Sequence, residues 1–361
     1  MVVNNPNNWH WVDKNCIGWA RDYFQEKLTG LDTGSAEEGI GGKFARVKTV
    51  TSVDGDCEVN QRKGKVISLF DLKLVLSIEG NVGEKKFEGS ITIPEVSFDS
   101  SPSDYQFVIS IYKETSELSE IKPVIRQRLV PQLRDIFQKF GTDLLFSNGA
   151  DIQVPEEQVK SQFTKANQKT SFESAAKPSV THSNTTGARK QNMSAGASTS
   201  RTTQKNTETI TATEGANNTT NIQMEPTFTV PAKDLYFTFL DKSRIMAWSR
   251  GSFKVTESSD PQSSILKNGD KFELFDGNTI SELVSCEEGK RLRLRWKLRD
   301  WSAKNNSVLN IEFHESQEYH ETKLDVRWEG IPIGEEDRVR SNFEDYYVRP
   351  IKITFGYGIV L

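Results

Sequence analysis

The amino-acid sequence predicts an α+β protein with two ordered domains separated by a polar linker. The chain has 361 residues, which is more than a single hydrophobic core usually supports. Between residues 153 and 221 the chain is dominated by Ser, Thr, Asn and Gln, and its aromatic residues there are Phe163 and Phe172. On either side, apolar residues recur first at helix spacing and then at strand spacing, as is typical of domains that mix helices with a sheet.

The first domain, residues 1–152, is predicted to begin with a helix and to continue as a sheet. Apolar residues recur at three- and four-residue spacing over Ile17–Leu28, which indicates an amphipathic helix. The spacing then changes to two and predicts an antiparallel meander of four strands, at residues 44–53, 65–79, 87–98 and 105–115. A second helix is expected over residues 116–145, with Pro123 and Pro131 in a first turn or at a break.

The second domain, residues 222–361, is predicted to be an antiparallel sheet around a long final helix. A short helix is expected at Ala232–Leu240, and the final helix at about Glu335–Phe355, where apolar residues form a wide stripe. Strand-like segments lie between them, at Lys271–Leu274, Thr279–Glu287, Arg291–Trp296, Val308–Glu315 and Thr322–Trp328. Packing the sheet around the final helix buries the stripe.

The linker, residues 153–221, is predicted to be disordered. Its polar composition cannot bury enough apolar surface to offset the entropy lost on ordering. Random-coil scaling for a segment of this length places its two ends about 40–50 Å apart. We therefore expect the two domains to reach separate surfaces of one large partner.

Charge and composition narrow the class of protein. The net charge is −4 and 27% of residues are charged, so the whole-chain field does not predict nucleic acid or a membrane surface as partner. No secretory leader pattern and no apolar run of about 18 residues occurs, so we expect a cytoplasmic location, with a nuclear one also open. The three cysteines lie far apart without a CxxC pattern, which favours reduced thiols over zinc or disulfides.

The sequence matches no common catalytic motif. It lacks GxSxG and HExxH, and residues 39–43 do not fit the GxxxxGK[ST] phosphate loop. His314 and His320 lie among glutamates, but on one strand they would be about 20 Å apart, and in a hairpin the residues between them form an exposed tip. We therefore expect no enzyme activity, no metal and no cofactor, although a sheet around a helix could enclose a cavity for a small molecule.

The segment Asn5–Trp11, with the sequence NPNNWHW, is the first candidate binding segment. Asn and Pro favour exposed turns, whereas Trp9 and Trp11 are costly to leave in water. Either both rings anchor the segment on its own domain, or at least one ring inserts into a partner. The residues alone leave both interpretations open.

A charged turn followed by an apolar strand is the second candidate site. Asp56 and its acidic neighbours precede three basic residues, Arg62, Lys63 and Lys65, whose cations could bind a carboxylate or a carbonyl of another protein. The next residues, Val66–Phe70, are strongly apolar. Apolar residues beside a charged rim are typical of protein interfaces, while an ordinary solvated turn also accounts for the charges.

Strings in both ordered blocks resemble the activators of heat shock protein 90 (Hsp90) ATPase, and their fungal members in particular. The first block contains NNWHW, GDCEVNQRKGK, SLFDLK and KETSELSE. The second contains ELFDGNTISELVSCE, WKLRDWS, FHESQEYHETKLDV and GIPIGEEDRVRSNFEDYYVRPIKITFG. The resemblance does not extend to the linker.

The resemblance implies a co-chaperone that is not itself an enzyme. In such proteins the first domain binds the middle segment of the Hsp90 dimer. The second domain, a Bet v 1/START-like helix-grip fold, reaches the ATPase domains of Hsp90. A member of this family is expected to be a monomer when free and to need no cofactor.

The resemblance also implies which residues carry the function. Arg62 and Lys63 would make the charged contacts with Hsp90, with Asp56 nearby. The apolar docking patch would consist of Ile67, Leu69 and Phe98. The segment that accelerates nucleotide turnover would comprise Asn5, Asn7, Asn8, Trp9, His10 and Trp11.

Two other functions stay open from the residues alone. The second domain could carry a lipid or another hydrophobic ligand, for which a deep empty cavity under the last helix would be evidence. Phe343 and Tyr347 filling that space would be evidence against it. The protein could also hold unfolded clients without any chaperone partner.

Overall fold

The first part of the fold is an antiparallel sheet with helices on one face. The computed structural model describes residues 5–34, 42–175, 219–302 and 306–358, with the backbone alone described for 169–175. Within these residues the strands of the first sheet are β1 (Val12–Asn15), β2 (Lys43–Arg62), β3 (Lys65–Val82), β4 (Lys85–Ser97) and β5 (Val108–Ile111). Their order in the sheet is their order in the chain, which confirms the predicted meander.

The prediction of four strands is wrong by one edge strand, β1. This strand pairs with the end of β2, and Val12 lies opposite Gln61. The sequence of β1 is Val-Asp-Lys-Asn, so it is four residues long with one apolar side chain. A pattern this short does not stand out from a loop, and pairing with β2 determines its conformation.

Helices cover one face of the first sheet. They are α1 (Ile17–Leu28), α2 (Ser116–Ser119), α3 (Ile121–Val124) and α4 (Val130–Asn148), with a π-helical turn at Ile125–Leu129 before α4. The predicted second helix is therefore broken, and Pro131 lies in the first turn of α4. A proline is tolerated there because its missing N–H would have no partner within the helix.

Aromatic side chains from α1, β3 and α4 form the core of the first part. The rings of Phe24 and Phe140 stack with their centroids 4.6 Å apart, and Phe70 meets Phe140 edge-on at 4.8 Å. All three side chains are buried. Because this face of the sheet is filled by its own helices, the opposite face is the one that can contact other surfaces.

The second part is a larger antiparallel sheet around a carboxy-terminal helix. Its described strands are β6 (Thr219–Met224), β7 (Thr227–Phe228), β8 (Phe253–Glu257), β9 (Lys271–Leu274), β10 (Thr279–Glu287), β11 (Arg291–Leu298), β12 (Ser307–Ser316) and β13 (Glu321–Pro332). Its described helices are α6 (Ala232–Leu240), α7 (Lys242–Trp248), α8 (Glu336–Phe343) and α9 (Arg349–Phe355), with a π-helical turn at Glu344–Val348 between the last two. The sheet order is β6-β13-β12-β11-β10-β9-β8, and β7 also pairs with β13.

The terminal helix fills the concave side of this sheet. Trp328 meets Phe343 edge-on at 4.9 Å, and Phe343 stacks on Tyr347 at 4.9 Å. The indole N–H of Trp296 donates a hydrogen bond to the Tyr347 hydroxyl, 3.2 Å away, so the polar ends of these two buried side chains satisfy each other. These contacts give the predicted helix-grip packing.

Both ends of the predicted linker contain folded structure. A helix, α5, spans Gln162–Ala175, and β6 begins at Thr219. Val159 is 1% exposed and Thr164 is 0% exposed, so this polar stretch is ordered by packing on the first sheet, which composition does not reveal. The prediction of one linker over residues 153–221 does not hold at these ends, and residues 176–218 lie outside the described residues.

The two parts contact each other directly. Arg340 of α8 forms a hydrogen-bonded ion pair with Asp54 of β2, and both side chains are largely buried. Tyr112 stacks on the His314 ring at 4.3 Å and donates a hydrogen bond to Glu225 at 2.7 Å. The expected picture of two separate modules therefore does not describe this conformation, in which the second part covers a portion of the first sheet.

Candidate functional site

The β2–β3 hairpin places the predicted charged and apolar residues on one face of the first sheet. Its register pairs Asp56 with Asp71, Glu58 with Leu69, Asn60 with Ile67 and Arg62 with Lys65. Directly paired residues share a face, and so do alternate residues along one strand. One set of predicted residues therefore faces away from α4, and we call it the hairpin surface: Asp56, Arg62, Lys65, Ile67 and Leu69.

The hairpin surface combines an apolar strip with charges at its ends. Ile67 and Leu69 are half-buried, whereas Arg62 and Lys65 are exposed. Phe98 lies just beyond β4, where its N–H donates to the Phe70 carbonyl at 3.0 Å, and 56% of Phe98 is exposed. The structure thus brings the apolar residues and cations together as a rimmed surface, with Phe98 one strand away.

Lys63 has a different environment from its neighbours. It lies at the turn of the hairpin in a left-handed conformation, with φ 53°. Its ammonium nitrogen lies over the ring of Trp9, 5.2 Å from the centroid, a cation–π geometry. Lys63 therefore joins the hairpin to the segment Asn5–Trp11.

Asn5 folds the segment Asn5–Trp11 onto the hairpin. Its side-chain amide donates to the His10 carbonyl at 3.0 Å, and its side-chain carbonyl accepts from the His10 N–H at 2.9 Å. The same amide donates to Gln61 Oε1 at 2.8 Å. Asn5 is 2% exposed, so this side chain acts as a buried structural link.

Asn7 and Asn8 attach the same segment to the chain beyond residue 152. Asn8 exchanges two hydrogen bonds with the backbone of Val154, at 2.9 and 2.8 Å, and Asn7 accepts from the Lys160 N–H at 2.7 Å. Asn7 and Asn8 have φ of 59° and 52°. Asparagine tolerates this left-handed region better than most residues do, which explains why these positions are Asn.

The aromatic residues of the segment remain at the surface. Trp9 is 47% exposed and Trp11 is 55% exposed, and His10 is also exposed. Neither indole is buried in the domain core. The asparagines therefore anchor the segment, and large apolar side chains are left available for a partner.

Sequence reasoning missed the helix α5 and the residues of the hairpin turn that it packs against. A Cβ built on Gly64 would lie 2.3 Å from the Thr164 carbonyl oxygen, so glycine is required where α5 crosses the hairpin turn. Asn167 donates to the Lys63 carbonyl at 2.9 Å. The available signals were Ser161, whose hydroxyl accepts from the Thr164 N–H at 3.4 Å, and the apolar residues Val159 and Phe163.

Of the two histidines considered as metal ligands, His314 lies in β12 and His320 lies in the β12–β13 turn. Residues 317–320 of this turn are exposed, so the predicted hairpin tip is confirmed. His320 is part of the tip, whereas the side chain of His314 is only 10% exposed because Tyr112 covers it. The three cysteines are free thiols.

Glu312, His314 and Asp325 could offer donor atoms within 4.8 Å of one another. Arg327 already donates to both carboxylate oxygens of Asp325, and its positive charge opposes a bound cation. Burial lowers the pKa of His314 to about 4, and the nearby positive charge of Lys113 acts in the same direction. The ion pair of Asp325 with Arg327 therefore disfavours a metal site at this position.

The interior of the second part holds little empty space. The cavity under the final helix has a volume of about 30 Å³ and is lined by side chains that include Trp248, Phe343 and Tyr347. Ligand pockets usually occupy roughly 300–1,000 Å³. Among the described helices, none combines the length and apolar character needed to cross a bilayer.

The fold and the site define a two-domain protein-binding module, with an exposed pair of tryptophans beside a charged and apolar hairpin surface. Residues 13–147 match the family model described as "Activator of Hsp90 ATPase, N-terminal", and residues 229–356 match "Activator of Hsp90 ATPase homolog 1-like protein". The chain is 57% identical over 370 residues to the Hsp90 co-chaperone AHA1 of Saccharomyces cerevisiae, with 100% of both chains covered. The chain therefore belongs to the family of Hsp90 ATPase activators.

Two further relatives show how the family is organised. The human "Activator of 90 kDa heat shock protein ATPase homolog 1" is 23% identical, and the match covers 99% of this chain and 94% of the relative. The Hsp90 co-chaperone HCH1 of S. cerevisiae is 36% identical over 164 residues, covering 43% of this chain and 100% of the relative. The family thus includes both full-length and much shorter proteins.

Proposed function

We propose that this protein is a co-chaperone that binds Hsp90 and stimulates its ATPase. The observation that carries the proposal is the position of the anchored segment Asn5–Trp11 directly beside the hairpin surface. One region binds and the adjacent one presents exposed aromatic side chains. Relatives that match the whole chain are named as Hsp90 co-chaperones and as activators of its ATPase, which supports this function and a role other than catalysis.

Stimulation of this kind requires no catalytic group in the activator. An activator need only bind the closed, hydrolysis-competent state of Hsp90 more tightly than the open state. Each factor of ten in relative affinity shifts the equilibrium between the two states by about 1.4 kcal/mol. The chemistry then takes place in the active site of Hsp90.

The hairpin surface is proposed to dock on the middle segment of Hsp90. Arg62 and Lys65 supply exposed cations at one end, where they can bind carboxylates of the partner. Ile67 and Leu69 supply the apolar contact, and Phe98, just beyond the end of β4, is proposed to extend it. Burial of such a strip within a charged rim is the usual arrangement of a binding hot spot.

The remaining roles follow from the proposed docking. Trp9 and Trp11 are proposed to act on the nucleotide-turnover step, and the second domain to contact the ATPase domains of the Hsp90 dimer. Residues 176–218 join the two domains, which raises the effective concentration of the second contact once the first has formed. We expect the free protein to be a cytoplasmic monomer.

The alternative function of carrying a lipid or another hydrophobic ligand is not favoured. Phe343 and Tyr347 stack at 4.9 Å in the space that such a ligand would need. The remaining cavity of about 30 Å³ is far below the roughly 300 Å³ of the smallest usual ligand pockets. The helix-grip domain is therefore filled by its own side chains.

The docking role can be tested with two double substitutions of basic residues, each next to one end of β3. Arg62→Ala/Lys63→Ala removes one cation of the hairpin surface and the lysine of the adjoining turn. Lys85→Ala/Lys86→Ala removes two exposed lysines at the start of β4. We expect the first variant to bind purified Hsp90 about ten-fold more weakly, since charged interface residues often contribute 1 kcal/mol or more. The control should match the wild type in binding and in ATPase stimulation.

The measurement is a titration of Hsp90 ATPase turnover together with a direct binding isotherm. Equal stimulation curves for wild type and the Arg62→Ala/Lys63→Ala variant would contradict the docking role of the hairpin. Absence of stimulation by the wild type would contradict the co-chaperone function itself.

A further inference from the structure

We propose that residues 154–168, which we call the clasp, position the segment Asn5–Trp11 for its action on Hsp90. The inference rests on the proposed function of that segment. It adds that the segment is held in place by residues that the sequence predicted to be part of the linker. Asn7, Asn8, Phe163 and Asn167 are then positioning residues, because each acts through the placement of the exposed tryptophans.

The clasp holds the segment through its backbone. Val154 exchanges two hydrogen bonds with the Asn8 side chain, at 2.9 and 2.8 Å. The N–H groups of Lys160 and Ser161 both donate to Asn7 Oδ1, at 2.7 and 3.3 Å. Left-handed conformations of non-glycine residues are unfavourable and persist where their surroundings enforce them. The clasp provides those surroundings for Asn7 and Asn8.

The clasp also contacts the turn that ends the hairpin surface. Asn167 donates to the Lys63 carbonyl at 2.9 Å. The Thr164 carbonyl approaches Gly64 so closely that an added Cβ would lie 2.3 Å from it. The clasp therefore fixes the segment and the hairpin turn relative to each other.

Trp9 lies where the clasp, the segment and the hairpin meet. Its ring centroid is 6.4 Å from that of Phe163 and 5.2 Å from the ammonium nitrogen of Lys63. Its carbonyl accepts from the Lys63 N–H at 3.2 Å. Trp9 is still 47% exposed, so it is oriented by its neighbours and remains accessible to a partner.

The test uses the full chain with Phe163→Ala/Asn167→Ala. The matched control is Phe146→Ala/Asn81→Ala, which also removes an exposed phenylalanine and an asparagine bonded to a turn carbonyl. Phe146 is 54% exposed and Phe163 is 58% exposed, and Asn81 donates to the Gly83 carbonyl at 3.0 Å. Both variants therefore lose similar side chains, but only Phe163 and Asn167 belong to the clasp.

The quantities to be measured are amide hydrogen exchange across residues 5–11, the affinity for Hsp90, and ATPase stimulation at saturation. The clasp variant is expected to exchange about ten-fold faster in this segment and to lose about three- to ten-fold in maximal stimulation, as removal of one or two hydrogen bonds and a ring contact would cause. Its affinity for Hsp90 should stay within about two-fold of the wild type. The control should resemble the wild type in all three measurements.

Unchanged hydrogen exchange in the clasp variant would overturn the proposal. So would faster exchange with unchanged or increased stimulation, because the segment would then need no positioning. If the wild type failed to stimulate Hsp90, the proposed function would fail, while the exchange data would still decide whether the clasp holds the segment.

Discussion

Within the segment Asn5–Trp11, individual residues divide between structure and surface. Asn5 and Asn8 are buried at 2% and 0% exposure, while Trp9 and Trp11 are about half exposed at 47% and 55%. Hydrophobicity alone would predict that the tryptophans are buried and the asparagines exposed. The amides are buried because each finds hydrogen-bond partners, and a buried polar group with partners is inexpensive.

This division predicts that one substitution in the segment lowers mainly stability and that another lowers mainly ATPase stimulation. Asn8→Ala removes both hydrogen bonds to Val154, whose C=O keeps only a bond from Gln168 at 3.4 Å. It also places Ala in a left-handed conformation, so we expect a loss of about 3 kcal/mol in unfolding free energy. Trp11→Ala should change the unfolding free energy by less than about 0.5 kcal/mol and should lower ATPase stimulation. Urea unfolding followed by circular dichroism measures the first quantity.

A comparable loss of stability in both variants would show that Trp11 packs on its own domain. The point substitutions are more informative than a deletion of residues 1–11. Such a deletion removes Asn5 and Asn8 together with the tryptophans, so structural and functional losses would coincide.

At the residue scale, the sequence indicated where the site lies but not how its residues are used. The run NPNNWHW stood out because two tryptophans occur among turn formers. The partners of Asn8 lie at Val154, 146 positions further along the chain. No local pattern reports a contact between positions so far apart.

Among the elements, the β2–β3 hairpin is the one on which both candidate surfaces depend. It carries the hairpin surface on one face and core residues such as Phe70 on the other. Its turn receives α5 at Gly64, where φ is 81°. Gly83, in the turn between β3 and β4, has φ of 59° but no neighbouring atom within 4 Å of an added Cβ.

These two glycines predict different responses to the same substitution. Gly83→Ala should lose about 1–2 kcal/mol, the cost of a left-handed alanine. Gly64→Ala carries that cost and also forces the Thr164 carbonyl away, which should add about 1–3 kcal/mol. Urea unfolding of both variants measures the difference, and limited proteolysis near α5 should show faster cleavage in Gly64→Ala alone. Equal unfolding free energies for Gly64→Ala and Gly83→Ala would mean that α5 does not pack closely against the hairpin turn.

Long periodic elements were predictable from the sequence, and short or polar ones were not. The helix Ile17–Leu28 and the strand Thr279–Glu287 were predicted with the bounds that the structure gives them. Both have enough residues for a repeat to appear. By contrast, β1 and α5 depend on contacts with β2 and with the hairpin turn, and their own side chains are mostly polar.

In the whole molecule, the two parts contact each other through Asp54 and Arg340, whereas the sequence predicts two domains joined only by a linker. Asp54 lies on the same face of β2 as Asp56 and Arg62, and Arg340 covers it. Burial raises the pKa of Asp54 although Arg340 is adjacent, so desolvation opposes the ion pair. Removing one member of a buried pair leaves the other charge without compensation.

The contact predicts that Arg340→Ala separates the two parts. We expect the domain contact to weaken by about 3 kcal/mol and the radius of gyration in small-angle scattering to increase. Arg338 on the same helix is the matched control, because its side chain is 41% exposed and pairs with Asp300 and Glu335 within the second part. A radius of gyration identical to that of the wild type in the Arg340→Ala variant would contradict a stable contact in solution.

The contact between the parts could not be derived from the sequence. Both members of the Asp54–Arg340 pair resemble ordinary surface charges in their local sequence, and 286 positions separate them. Composition correctly indicated two cores, because each block has its own apolar periodicity. It could not indicate how two folded blocks would meet, since that depends on the shapes of finished surfaces.

The hydrogen bonds between Asn8 and Val154 also impose an order on folding during synthesis. Asn8 leaves the ribosome 146 residues before its partner, a delay of about 7–30 s at typical rates of translation. A pairing of such high contact order forms late, after the hairpins and helices between the two positions. Asn8 is therefore made long before Val154, yet it reaches its native hydrogen bonds only after Val154 has been made.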